Sequence, residues 1–185
     1  MERLAALALL ISLGPLLIAA AVILTARSRS SPLVAHRRVG RSGHPIWVFK
    51  LRTMWSGRPQ HPSRLVERIC TTDLPRPKIA RDGRVRSRFA AFCRRYSIDE
   101  LPQLWNVLRG DMALIGPRPL TGQEIETYYA DYRDELLTKK PGLTGLWQVS
   151  GRSRLTYRQR RKLDLFLIRH WGIGLYIRVL REPDR

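Results

Sequence analysis

Apolar and polar positions divide the chain into two unequal parts. Over residues 4–26 no charge interrupts an apolar run. A straight helix of that length reaches roughly 35 Å, enough for a bilayer core of about 30 Å. Gly14-Pro15 sits at the middle of the run. Proline removes an i→i−4 hydrogen bond and crowds the preceding turn, so a break or kink is expected there. Each half would then reach only about 15 Å, half the bilayer core. Composition leaves three readings open: a cleaved signal peptide, a spanning anchor, and a helix that enters the membrane, breaks and returns to the same side. Arg3 and Ala19-Ala20-Ala21 suit a signal peptide, but the run continues through Val22-Ile23-Leu24. Arg27, Arg29, Arg37, Arg38 and Arg41 follow it and argue that the remainder is cytoplasmic.

After a short linker at 28–32 the pattern changes to mixed polar and apolar. Residues 45–54 (PIWVFKLRTM) alternate in part and carry β-branched and aromatic residues, predicting a strand. Residues 58–81, rich in Pro and charge, predict a loop. Phe89 and Phe92, three apart among Arg88, Arg94 and Arg95, predict a basic amphipathic helix over 86–95. Further helices are expected over 97–108, over 123–137 and over 156–180. The segments 110–121 and 141–154 read as loops. The class is α+β, mostly helical, with a small sheet or hairpin and amphipathic interfacial helices around the site. The expected division is residues 1–27 as a membrane-associated unit and 28–185 as a domain that the flanking cations place on the cytoplasmic face.

Charge narrows the partners. The 185 residues carry 34 Lys+Arg against 15 Asp+Glu, a net charge of +19, and are 44% hydrophobic. That is too apolar for a disordered polycation. All cations but Lys50, Lys78, Lys139, Lys140 and Lys162 are Arg, the better residue for bidentate phosphate contacts. Nucleic acid, nucleotide, phosphorylated lipid and membrane surface all fit. Cys70 and Cys93 make neither a disulfide framework nor a zinc spacing, and His36, His44, His61 and His170 have no metal spacing. Walker A and GxGxxG sequences do not occur.

Four places can carry chemistry. Ser97-Ile98-Asp99-Glu100 reads first as a capping box, with Ser97 as cap and Glu100 reaching back. The same physics keeps a carboxylate at a helix N-terminus ionised, as a carboxylate nucleophile must be. Arg118 stands between Pro117 and Pro119, on a stiff backbone suited to a phosphate clamp or to a solvated turn. Lys50 and Arg52 share one strand face. Arg152 follows Ser150-Gly151 in a loop, a weak anion site alone. Asp164, between Leu163 and Leu165, is an exposed face residue or a buried partner for an arginine.

Phe49-Lys50-Leu51-Arg52-Thr53-Met54, SIDELPQLWNVLRGDMALIG at 97–116, Pro117-Arg118-Pro119 and PGLTGLWQVSGR at 141–152 resemble the bacterial sugar transferases. These are monotopic phosphoglycosyl transferases that start cell-surface glycan assembly on a polyprenol phosphate. The resemblance runs in blocks from the N-terminal helix to about position 180, and the length is similar to the small, catalytic-domain-only members. It implies transfer of a sugar 1-phosphate from a nucleoside diphosphate sugar, usually a UDP-sugar, to undecaprenyl phosphate. Asp99 becomes the nucleophile and Glu100 its dyad partner. Mg²⁺, with Asp99 and Glu100 as metal ligands, is the implied cofactor, and Lys50, Arg52, Arg118, Arg152 and Asp164 the substrate-binding set. The resemblance implies a re-entrant helix broken near Pro15, in the bacterial inner membrane with the catalytic domain on the cytoplasmic face. Nucleic acid is not expected as a partner: a membrane-tethered binder would leave the dyad and the Arg118 loop without a task, and a non-catalytic scaffold is the other alternative. The chain departs from the family at Gly14-Pro15 in place of Ser-Pro, at a shortened 32–39 stretch, at Lys50-Leu51-Arg52, at Trp171-Gly172, and at Tyr176 where Asp is common.

Overall fold

The computed structural model describes residues 1–55, 65–70, 83–151 and 155–181. The apolar run forms one helix, α1 (Glu2–Ser28), ended by Arg29 in a left-handed conformation that donates its N–H to Thr25 O at 2.8 Å. The helix is continuous through Pro15, so the expected division into two elements is not seen. Proline leaves one carbonyl, that of Ile11, without its helical donor. A single lost bond does not end a helix held at both ends by packing. Ala6 is buried with Ile46, Val48, Leu104, Val107 and Met112. Ala20 and Leu24 are buried with Leu51, Ala90 and Cys93. Both ends of α1 therefore rest on the same domain. Between and around these contacts Leu4, Ile11, Ile18 and Val22 are each more than 60% exposed. An apolar surface of this kind on a soluble protein has no aqueous rationale.

The polar remainder folds on a three-stranded sheet ordered β2-β1-β3. β1 (Leu33–Val39) and β2 (Pro45–Leu51) form an antiparallel hairpin, registered from Leu33↔Leu51 to Val39↔Pro45. Its turn holds Ser42 and Gly43 at positive φ. β3 (Val66–Ile69) pairs in parallel with β1, inside a stretch the sequence reads as loop. Four residues among prolines are too short a run to show alternation. β2 is an edge strand, and a buried asparagine closes its edge. Asn106 Oδ1 accepts from Phe49 N at 3.2 Å and its Nδ2 donates to Trp47 O at 2.7 Å. That contact seats α3 (Gln103–Arg109) against the sheet.

The other helices are α2 (Arg88–Arg95), α4 (Gly122–Tyr128), α5 (Arg133–Leu137), α6 (Leu146–Val149), α7 (Tyr157–Arg169) and α8 (Ile173–Arg181). The helix expected over 123–137 is split, because Tyr129 leaves the helical path to bury itself (1% exposed) and donate to Asp164. The one expected over 156–180 breaks at Trp171-Gly172. The two expected loops contain β4 (Ala113–Ile115) and β5 (Gly142–Thr144), a parallel pair. Phe92 and Tyr96 beside Arg94 and Arg95, and Ile173 and Ile177 beside Arg178, expose large apolar side chains next to cations, as interfacial helices do.

Candidate active site

Alternation along β1 and its register with β2 put His36, Arg38 and Lys50 on one face. The dyad arrives opposite Lys50. Asp99 and Glu100 lie on a single 3-10 turn (Ile98–Glu100) that leads into α3, and Glu100 Oε1 pairs with Lys50 Nζ at 2.7 Å. The capping box does not form. Ser97 is left-handed (φ 56) with no side-chain capping bond, and Glu100 is drawn to Lys50 instead of back to the Ser97 amide. A non-glycine residue at positive φ beside the dyad is a strained position. Asp99 is 8% exposed and close to Cys93, whose thiol is pushed up by burial and then by the Asp99 charge. Ile98 packs with Leu51, Ala90 and Cys93, which wedges the turn between β2 and α2.

Arg52 donates through Nε to Ser31 O at 2.8 Å and pairs with Glu67 on β3. Lys50 and Arg52 thus each meet a carboxylate, and Lys50 meets the dyad's own. His36 lies among three cations. Burial first, then the charges of Arg38, Lys50 and Arg52, hold its pKa down to about 4, so it is neutral at pH 7. Its Nδ1 is buried and has no hydrogen-bond partner among the described residues.

Arg118 is placed by a close backbone crossing. Gly116 N donates to Thr144 O at 3.0 Å, and Gly142 N to Pro117 O at 2.9 Å. A Cβ on Gly142 would sit 2.1 Å from Gly116 N, so the β4–β5 crossing excludes every side chain there. The loop leaving this crossing carries the Arg118 guanidinium to 4.9 Å over the Trp147 ring, where Arg160 also stacks at 5.4 Å. Arg118 Nε and Trp147 Nε1 are buried without hydrogen-bond partners among the described residues, which leaves them as candidate donors to an oxyanion or water.

Asp164, expected in the substrate-binding set, is 0% exposed. Its Oδ2 accepts from Tyr129 Oη at 2.8 Å. Burial raises its pKa to about 7, opposed by the Tyr129 bond and by Arg118 and Arg160. It is buried, held by Tyr129 within the field of Arg118 and Arg160, and offers no surface to a ligand. Arg152 lies outside the described residues.

Sequence reasoning missed several members. Glu124 is 1% exposed and forms a capping box with Thr121, with bonds of 2.9 and 3.1 Å. Tyr157 Oη donates to its other oxygen at 3.4 Å. Arg38 is depressed by burial and by Arg118, with Glu124 offsetting. The Thr121-x-x-Glu124 spacing was a visible capping signal, and Arg38 follows His36 by two. Arg38 also borders a cavity of about 600 Å³ shared with Arg37, Pro45, Thr121, Gln123 and Glu126. The β1–β2 hairpin thus links the dyad, through Lys50 on β2 and His36 and Arg38 on β1, to the Arg118 cluster and this cavity.

Among the described residues no three His, Cys, Asp or Glu gather into a metal cage. Mg²⁺ often takes only one or two carboxylates together with substrate phosphates, and Asp99 with Glu100 supplies that donor set.

The family profile described as bacterial sugar transferase matches residues 1–182. The chain belongs to the bacterial sugar transferase family. One similar member is the UDP-galactose-lipid carrier transferase of Erwinia amylovora, 38% identical over 92% of this chain and 36% of that protein. Another is the undecaprenyl-phosphate galactose phosphotransferase of Salmonella typhimurium, 38% identical over 83% of this chain and 33% of that protein. The exopolysaccharide production protein ExoY of Sinorhizobium fredii is 34% identical over 93% of this chain and 76% of its own length. The chain thus spans about a third of the first two relatives and about three quarters of the third.

Proposed function

We propose that this sugar transferase moves a sugar 1-phosphate from a nucleoside diphosphate sugar, a UDP-sugar, to undecaprenyl phosphate, through a covalent intermediate on Asp99. The observation that carries the reading is the dyad itself. A nearly buried carboxylate stands beside a second one, which is ion-paired to Lys50 on β2, next to the cationic strand β1. The loop that presents Arg118 is rigid, and no described residue forms an ion pair with that arginine.

In the first step an Asp99 carboxylate oxygen attacks the sugar-proximal phosphorus. The bond from that phosphorus to the bridging oxygen breaks, and UMP leaves with the electron pair. In the second step an oxygen of undecaprenyl phosphate attacks the same phosphorus and Asp99 departs as carboxylate. Lys50 holds Glu100 in place beside Asp99, and Glu100 is positioned to handle a proton or a metal ligand. Arg118 grips diphosphate oxygens, and its flanking prolines keep the ordering entropy small. Mg²⁺, when bound at Asp99 and Glu100, would neutralise charge on the diphosphate.

The membrane geometry fits this acceptor. Both ends of α1 pack on one domain, which supports a monotopic helix held on one side of the membrane over a spanning one. The cations after the helix support the cytoplasmic face of the inner membrane. A polyprenyl phosphate presents its headgroup at that interface. The test is a panel of UDP-sugars with undecaprenyl phosphate in lipid nanodiscs, following UMP. At least one sugar should release UMP, and Asp99→Asn should lower that rate by several orders of magnitude. Retention of more than about a tenth of turnover by Asp99→Asn would remove Asp99 as nucleophile.

A further inference from the structure

The first turn of α1 does more than enter the membrane. Glu2 Oε1 accepts two hydrogen bonds, from Leu114 N at 3.3 Å and from Tyr176 Oη at 2.9 Å. Arg3 Nη2 donates to Arg109 O at 3.4 Å. The Arg3 guanidinium also lies over Gly110, within 2.0 Å of where a Cβ there would stand. Leu114 is the central residue of β4. Ala113 N is bonded to the β5 side, at Pro141 O. The alternation of a strand turns the next amide, that of Leu114, to the opposite edge, where no described strand follows. Glu2 fills that position. Two residues after Leu114 the chain enters Gly116-Pro117-Arg118.

We propose that Glu2 is a positioning residue that couples the seating of the membrane helix to the placement of the Arg118 loop. The inference rests on the proposed function for its catalytic meaning. Its structural half rests only on the junction of α1, β4 and α8. Tyr176 has a specific part in it: its phenol donates a hydrogen bond to the Glu2 carboxylate, which a side chain without a donor could not do. Burial and Glu2 together push the Tyr176 phenol up to about 12, so the donor persists at every physiological pH.

The experiment compares wild type with Glu2→Ala, Glu2→Gln and Tyr176→Phe, each as the full chain in nanodiscs. Hydrogen exchange is read at the Leu114 amide and across residues 114–119, with 45–51 as control. Glu2→Ala should speed exchange over 114–119 about tenfold or more and leave 45–51 unchanged. The kcat/KM for the UDP-sugar should fall about 10- to 100-fold, as expected for a catalytic group displaced by about an ångström. Membrane retention by flotation should stay at the wild-type level. Glu2→Gln keeps an acceptor oxygen and should recover most of both signals, and Tyr176→Phe should give a partial loss. Unchanged exchange over 114–119 in Glu2→Ala overturns the coupling. So does an activity loss that merely tracks lost membrane retention. If wild type releases no UMP from any sugar donor, the proposed function falls, while the exchange result still decides the coupling.

Discussion

Replacing Asn106 by Ala tests how the dyad is held in register with the sheet. Asn106 is 0% exposed and bonds two backbone groups on the free edge of β2, Phe49 N and Trp47 O. Both orientations of the amide are fixed by this pairing, since the amide must accept from one group and donate to the other. Alanine leaves an N–H and a C=O unsatisfied at a partly buried edge. Each costs about 1–3 kcal/mol, and water reaching the edge recovers some of that, so a total of about 3 kcal/mol is expected. For a chain of this size about 3 °C in Tm accompanies each kcal/mol, which gives a drop of about 10 °C. Activity should fall as well. Phe49 precedes Lys50, and α3 follows Glu100 by two residues, so Asn106 ties together the two segments that carry the ion pair. Asn106→Asp keeps the acceptor for Phe49 but sets a carboxylate oxygen against the Trp47 carbonyl. Its destabilisation should therefore shrink as pH falls and the carboxyl protonates. Thermal unfolding in nanodiscs, followed by tryptophan fluorescence at pH 5 and pH 8, reads both effects. A Tm loss under about 2 °C for Asn106→Ala would show that the edge is satisfied without Asn106.

Arg118→Lys should impair sugar-donor turnover nearly as much as Arg118→Ala with the Tm unchanged, because an ammonium cannot make the bidentate grip; steady-state kinetics checks it, and a Lys variant with near wild-type kcat/KM would remove the clamp. Gly142→Ala should disrupt the β4–β5 crossing, since its Cβ would stand 2.1 Å from Gly116 N, and should lower soluble yield or Tm markedly, whereas Gly122→Ala, with open space around it, should not. Asp164 has a raised folded pKa, about 7 against 3.8, so the folded state holds its proton more tightly and stability falls as pH rises from about 4 to 7. Asp164→Asn should therefore gain stability relative to wild type, more at pH 8 than at pH 5. His36 has a lowered folded pKa, about 4 against 6.5, so its contribution is full above 6.5 and is lost as pH falls toward 4. His36→Gln should flatten that acid limb in a Tm-versus-pH series.

The contiguous motifs were legible because their meaning is local. The Pro-flanked Arg118 and the apolar run stand out from a few adjacent residues, whereas Asp99 and Glu100 stand out as a dyad only through the resemblance of the longer 97–116 block. What the sequence hid were pairings across distance. Lys50 and Glu100 are fifty positions apart, and their ion pair overrides the capping box that local spacing favours. β1 escaped notice because LVAHRRV breaks its alternation with His36 and Arg38, whose face is the site. Asp164 was left between two roles because only the fold brings Tyr129 against it. The Gly116–Gly142 crossing needed both loops in view, since either alone reads as turn-rich. Pro15 predicts a break, yet α1 is continuous because packing at Ala6 and at Ala20 and Leu24 outweighs one missing hydrogen bond.

The most direct measurement is the intact mass of the full chain in nanodiscs, mixed with a sugar donor that supports turnover, before any polyprenyl phosphate is added. The account predicts a mass gain of one sugar phosphate on wild type, discharged when undecaprenyl phosphate is supplied, and no gain on Asp99→Asn. Product formation by wild type with no adduct at any time, or an adduct of the same mass on Asp99→Asn, would contradict it.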